Sequence, residues 1–81
     1  MPPRVTLYTK AGCCLCDEAK QEIDRARRQT EFELEIIDIE SDPRLYRQYQ
    51  FDIPVIAING ERAFRYHVKA ADLVARLQAG T

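Results

Sequence analysis

All three cysteines of this 81-residue chain fall inside one tetrapeptide, Cys13-Cys14-Leu15-Cys16. A disulfide scaffold spreads its cysteines so as to close long loops, and a cluster of this kind staples nothing. The fold must therefore be held by an apolar core, and the cysteines are left for chemistry or metal. The cluster also sits where the pattern changes period. Arg4 to Thr9 alternates as a strand, with Val5, Leu7 and Thr9 on one face and Thr6 and Tyr8 on the other. Lys10-Ala11-Gly12 is a short loop. From Cys13 to Arg28 the period is helical, with Leu15, Ala19, Ile23 and Ala26 on one face and Glu18, Gln21, Asp24, Arg25 and Arg28 facing water. Asp17 and Glu18 in the first turn and Arg25, Arg27 and Arg28 in the last complement the helix dipole.

The rest of the chain is punctuated by short-range signals. Phe32 to Ile39 reads as a second strand, in which Phe32, Leu34 and Ile36 alternate with Glu33 and Glu35, the pattern of a half-exposed edge. Asp42 before Pro43 predicts an N-cap and a first helical position, opening a short helix with Leu45, Tyr46 and Tyr49. Asp52-Ile53-Pro54 precedes a third strand, Val55 to Ile58. Asn59-Gly60 is a two-residue hairpin signal, and Arg62 to Tyr66 returns as a fourth strand. Ala70, Leu73, Val74 and Leu77 predict a last helix, with Gly80 just beyond it. The order β-α-β-α-β-β-α implies an α/β fold built on a four-stranded mixed sheet flanked by three helices. The first two strands are expected to be parallel, with a right-handed crossover. Residues 1–81 form one domain.

Composition removes several classes of function. Twelve basic and thirteen acidic residues leave a net charge of −1, so no basic excess exists to neutralise a phosphate backbone and no nucleic-acid partner is expected. No apolar run approaches the ~20 residues of a membrane span. Met1-Pro2-Pro3-Arg4 carries no apolar signal core, so the expected compartment is the cytosol and the expected state a monomer.

Cys13 and Cys16 are the ends of a Cys-x-x-Cys at a strand-to-helix junction. The first N–H groups of a helix have no internal partner and carry the positive end of its dipole, and both effects stabilise a thiolate. Cys13, at the helix start, is expected to be the nucleophile. Cys16, one turn in and more buried, is expected to resolve the mixed disulfide. Three-residue spacing on one helix lets these two sulfurs meet, whereas Cys13–Cys14 and Cys14–Cys16 pairings strain the backbone. Asp17 and Glu18 oppose the thiolate, and Lys10 supports it if it folds over Cys13. Zinc takes four ligands, while the chain offers these thiols and a distant His67, so no metal is expected within one chain.

Lys10-x-x-Cys13-x-x-Cys16 and the segment order resemble the glutaredoxins of the thioredoxin superfamily. More narrowly, Cys13-x-Leu15-Cys16-Asp17-Glu18-Ala19 with Asp52-Ile53-Pro54-Val55 and Asn59-Gly60 resembles a small glutaredoxin-like family of largely unassigned role. The resemblance implies a thioredoxin fold and a protein dithiol-disulfide oxidoreductase cycling through Cys13 and Cys16. It implies a cis Ile53–Pro54 bond facing the cysteines, with the Ile53 backbone offered to an extended substrate. Lys10 matches a glutathione-contacting position, and Tyr8 is a further candidate for the substrate groove. Glutathione-using relatives share a Gly-Gly stretch and a following Asp before the last helix. Here the segment reads Tyr66-His67-Val68-Lys69-Ala70-Ala71-Asp72, which points away from glutathione as the obligate partner. Expected partners are disulfide-bearing proteins and a reductase or dithiol protein as electron donor, with no required cofactor. Two other classes stay open: a thiol-based metal or iron–sulfur carrier, with ligands pooled between chains or supplied by glutathione, and a redox-inert binding module.

Overall fold

In the computed structural model, which describes residues 2–79, β1 (Arg4–Thr9) leads into α1 (Cys14–Arg27) and then β2 (Glu33–Asp38). A 3-10 turn, Ile39–Ser41, and α2 (Pro43–Tyr49) follow, then the hairpin β3 (Val55–Ile58) and β4 (Glu61–Arg65), and finally α3 (Ala70–Ala79). Gly80, expected just past the last helix, lies outside the described residues. The sheet order is β2-β1-β3-β4. β1 is parallel to β2 and antiparallel to β3, and β3 is antiparallel to β4. Among the described residues no helix is long and apolar enough to cross a membrane.

Local chemistry explains most element ends. Asp42 caps α2, its carboxylate accepting from Arg44 N–H at 2.8 Å, with Pro43 at the start of the helix. Asn59 (φ 52°) and Gly60 (φ 89°) both adopt the left-handed conformation that a two-residue hairpin of this hand demands. Asn59 also ties the hairpin to β1, accepting from Arg4 N–H at 2.9 Å through its side chain and donating its own N–H to the Arg4 carbonyl at 2.8 Å. The fourth strand ends one residue earlier than the alternation predicts, because Tyr66 leaves the extended region at φ 67°.

The sheet buries its two faces unequally. Val5, Leu7 and Ile56 face α1 and α3, where Ala19, Ile23, Ala26, Leu73 and Leu77 complete the main core. The opposite face carries a smaller cluster of Ile39, Tyr49 and Val55, with Tyr8, Leu45 and Ile53 packed against it. The first-turn residue that α1 buries is Cys16 rather than Leu15, which stays half-buried. Ile36 departs from its predicted alternation and is 50% exposed, because β2 is an outer strand with a neighbour on one side only.

One cap was not visible in the periodicity. Glu22 of α1 reaches across to α3, its Oε1 accepting from Ala70 N–H at 2.9 Å, while Oε2 pairs with Arg25. It thus satisfies a helix-start N–H from a different helix. Replacing Glu22 with Ala is expected to cost about 1 kcal/mol, the usual worth of a cap. The midpoint of a denaturant titration, against Glu22→Gln as the variant that keeps an acceptor, measures it.

Candidate active site

The site is assembled at one end of the sheet, where β1 ends and β3 begins. Tyr8 pairs with Val55, so the next step of the register sets Thr9 beside Pro54. Beyond Thr9 the chain turns through Ala11 and Gly12 into α1. Gly12 lies at φ +79°, and a Cβ there would meet nothing within 4 Å, so the backbone conformation is what calls for glycine at this turn.

Cys13 is the N-cap of α1, at φ −91° and ψ 109°. Its Sγ accepts the Cys16 N–H at 3.2 Å, and its carbonyl accepts from Asp17 N–H at 3.3 Å. A sulfur therefore stands where Ser or Asp ordinarily caps a helix, against an N–H that has no partner within the helix. Cys13 is half-buried, Cys14 is exposed and Cys16 is 1% exposed. All three are free thiols in this structure.

Burial first, and then its hydrogen bond to Cys13, push the Cys16 thiol up from its ordinary value. The Thr9 hydroxyl and the Lys10 backbone N–H bond to it and act in the opposite direction. Thr9 and the Lys10 amide were not foreseen as members of the site. The signal for Thr9 was present in the alternation that sets it on the face of Val5 and Leu7, toward α1.

The Ile53–Pro54 bond is cis. Pro54 is buried, and Ile53 is half-buried with its side chain against the cluster beneath α2. Tyr8 is not brought to the cysteines. Its side chain points to the α2 face and stacks on Tyr49, with ring centroids 4.6 Å apart and an interplanar angle of 26°. Burial, followed by Tyr49 and Glu35, raises the Tyr8 phenol above its ordinary value. Lys10 is half-buried and His67 exposed. Asp52, just before the cis bond, accepts from the Tyr66 hydroxyl at 3.3 Å and from Arg65 Nη1 at 3.5 Å. Among the described residues no group of three or more His, Cys, Asp or Glu side chains converges to hold a metal ion.

Residues 4–78 match the profile of the glutaredoxin-like domain (DUF836). The chain belongs to this family. A crystal structure of a protein from X. campestris is similar to this glutaredoxin-like domain at 29% identity and a TM-score of 0.78, covering 93% of this chain and 96% of that one. A solution structure of a protein from Nitrosomonas europaea gives 26% identity and a TM-score of 0.82, covering 95% and 93%. A thioredoxin from Halobacterium salinarum, at 15% identity and a TM-score of 0.69 over 95% of this chain and 73% of its own, shares the fold. The glutaredoxin-like domain therefore has the thioredoxin fold, and its cysteine pair at the start of α1 supports a thiol redox role.

The Cys16 shift has a consequence for stability. A thiol whose value is raised on folding ionises first in the unfolded chain. Its contribution is thus complete below the unfolded value and is lost as pH rises through the folded value. The reduced domain is expected to lose stability with rising pH, beginning in the ordinary thiol range. Tyr8 acts with the same sign at higher pH, since its ordinary value of 10.0 lies above that of a thiol. Denaturant titrations across alkaline pH on wild type and Cys16→Ala check this, and the variant should show a flatter early decline.

Proposed function

We propose that this domain is a protein dithiol-disulfide oxidoreductase in which Cys13 is the nucleophile and Cys16 the resolving thiol. The observation that carries the reading is the bond from Cys16 N–H to Cys13 Sγ, which supplies a donor to the sulfur that must hold negative charge. Cys13 attacks a substrate disulfide, forms a mixed disulfide and releases one substrate thiolate. That thiolate takes up the proton which Cys16 gives up. The Cys16 thiolate then attacks Cys13 Sγ and releases the second substrate sulfur as a thiolate, which takes its proton from solvent, leaving a Cys13–Cys16 disulfide. Two electrons pass from the dithiol to the substrate, and a reductase or second dithiol protein returns them. The raised Cys16 thiol supports this order, since it holds its proton while Cys13 makes the first attack. In this reading the Ile53 backbone, next to the Pro54 position that the register sets opposite Thr9, pairs with an extended substrate segment, as in strand addition.

Glutathione is not the obligate partner in this reading. Tyr66-His67-Val68 occupies the segment where glutathione-using relatives carry Gly-Gly, and Tyr66 and His67 both bear exposed side chains. Titration is expected to show weak glutathione binding, and a tight complex contacting residues 66–71 would refute this.

Three variants test the assignment. Cys13→Ser is expected to abolish reduction of insulin disulfides, Cys14→Ser to keep most of it, and Cys16→Ser to accumulate mixed disulfides on Cys13. Wild-type activity in Cys13→Ser would sink the assignment. Alkylation and peptide mapping of oxidised monomer are expected to find Cys14 labelled, with Cys13 and Cys16 protected.

A further inference from the structure

The Ile53–Pro54 step lies on a loop that leaves the short helix α2 and carries Phe51, which is 84% exposed. Residues on both sides of Ile53 are nevertheless held by one side chain and its backbone. The Tyr66 hydroxyl donates to Asp52 Oδ1 at 3.3 Å, and the Tyr66 N–H donates to the Pro54 carbonyl at 2.8 Å. Tyr66 thus spans Ile53, bonding the residue before it and the residue after it. Arg65 closes the cluster, with Nη1 at 3.5 Å from the same Asp52 oxygen and its guanidinium carbon 5.1 Å from the Tyr66 ring centroid. The Asp52 side chain is 25% exposed.

The backbone of Tyr66 makes the grip possible. At φ 67° it is left-handed, a conformation uncommon for an aromatic residue, and it turns the chain out of β4 toward the loop. The His67 N–H, donating to the Arg65 carbonyl at 2.8 Å, tightens the turn on its other side. Such conformations persist where the surroundings over-determine them, and here the loop bonds on either side of Ile53 are those surroundings.

We propose that Asp52 and Tyr66 form a clasp that positions the Ile53–Pro54 step for the backbone of a protein disulfide substrate. This rests on the dithiol-exchange reading above. The clasp touches neither sulfur, so it acts on substrate binding and leaves the thiol chemistry alone. The two side-chain bonds to Asp52, from Tyr66 at 3.3 Å and from Arg65 at 3.5 Å, are long and lie near the surface, so each is weak and the effect is graded.

The experiment combines insulin reduction, with dithiothreitol as the reductant, and amide hydrogen exchange. Tyr66→Phe removes the hydroxyl alone, Asp52→Ala removes the acceptor, and Asp52→Asn keeps one. Tyr66→Phe and Asp52→Ala are each expected to raise KM for insulin about 3-fold with kcat unchanged, the effect of one modest hydrogen bond. The double variant should be no worse than Asp52→Ala, which already removes the acceptor of both bonds, and Asp52→Asn should stay near wild type. The Asp52 and Tyr66 amides should exchange faster in Tyr66→Phe and in Asp52→Ala. An unchanged KM, or a fall in kcat at constant KM, overturns the proposal. A wild-type domain inert toward insulin sinks the dithiol reading instead. The exchange rates then decide the clasp by themselves, and rates equal to wild type end it.

Discussion

A helix must begin with N–H groups that its own backbone cannot satisfy, and the site is built on the choice of a sulfur to satisfy one of them. Cys13 accepts the Cys16 N–H, which fixes the cap, the entry angle of α1 and the distance between the two ends of the Cys-x-x-Cys in a single contact. The constraint spreads from there. With Cys13 outside the first turn, Cys16 falls on the buried stripe that continues through Ala19, Ile23 and Ala26. That stripe docks on Val5 and Leu7, so the position of the reactive end follows from the packing of the main core.

The two ends of the pair differ in depth. Cys16 is enclosed, and burial with its hydrogen bond to Cys13 raises its thiol against the opposing pull of Thr9 and the Lys10 amide. Cys13, at the helix start, is half-buried. Cys14 lies between them in sequence yet is turned to solvent, as the 100° step between neighbouring helical residues requires.

What could be read from the sequence was whatever local chemistry writes. Asp42-Pro43, Asn59-Gly60 and the switch from alternation to helical period at Cys13 each specify a short piece of backbone, and each piece formed. The cis bond at Pro54 came from family resemblance, since no local rule distinguishes it. The features that escaped reading pair residues far apart in the chain. Glu22 meets Ala70, Tyr66 meets Asp52 and Tyr8 meets Tyr49, and no periodicity encodes such meetings. Tyr8 shows the difficulty best: one residue from the end of β1 and close to the cysteines in sequence, it has the right address, but strand alternation turns its ring to the other face of the sheet.

The unequal burial of the two faces sets an order of disassembly. On one side α1 and α3 share a broad core with the sheet, and on the other α2 rests on Ile39, Tyr49 and Val55. Regions with few buried apolar contacts open at lower free energy than the rest of a domain, as separate cooperative units. The seam between the two units runs through the site, because the thiols belong to the helix on the deep side and the proline step follows the helix on the shallow side. Partial opening therefore loosens the proline step while the capped helix keeps its sulfurs in place. In the proposed dithiol-exchange reading, such a domain loses discrimination between partners before it loses the capacity to exchange electrons.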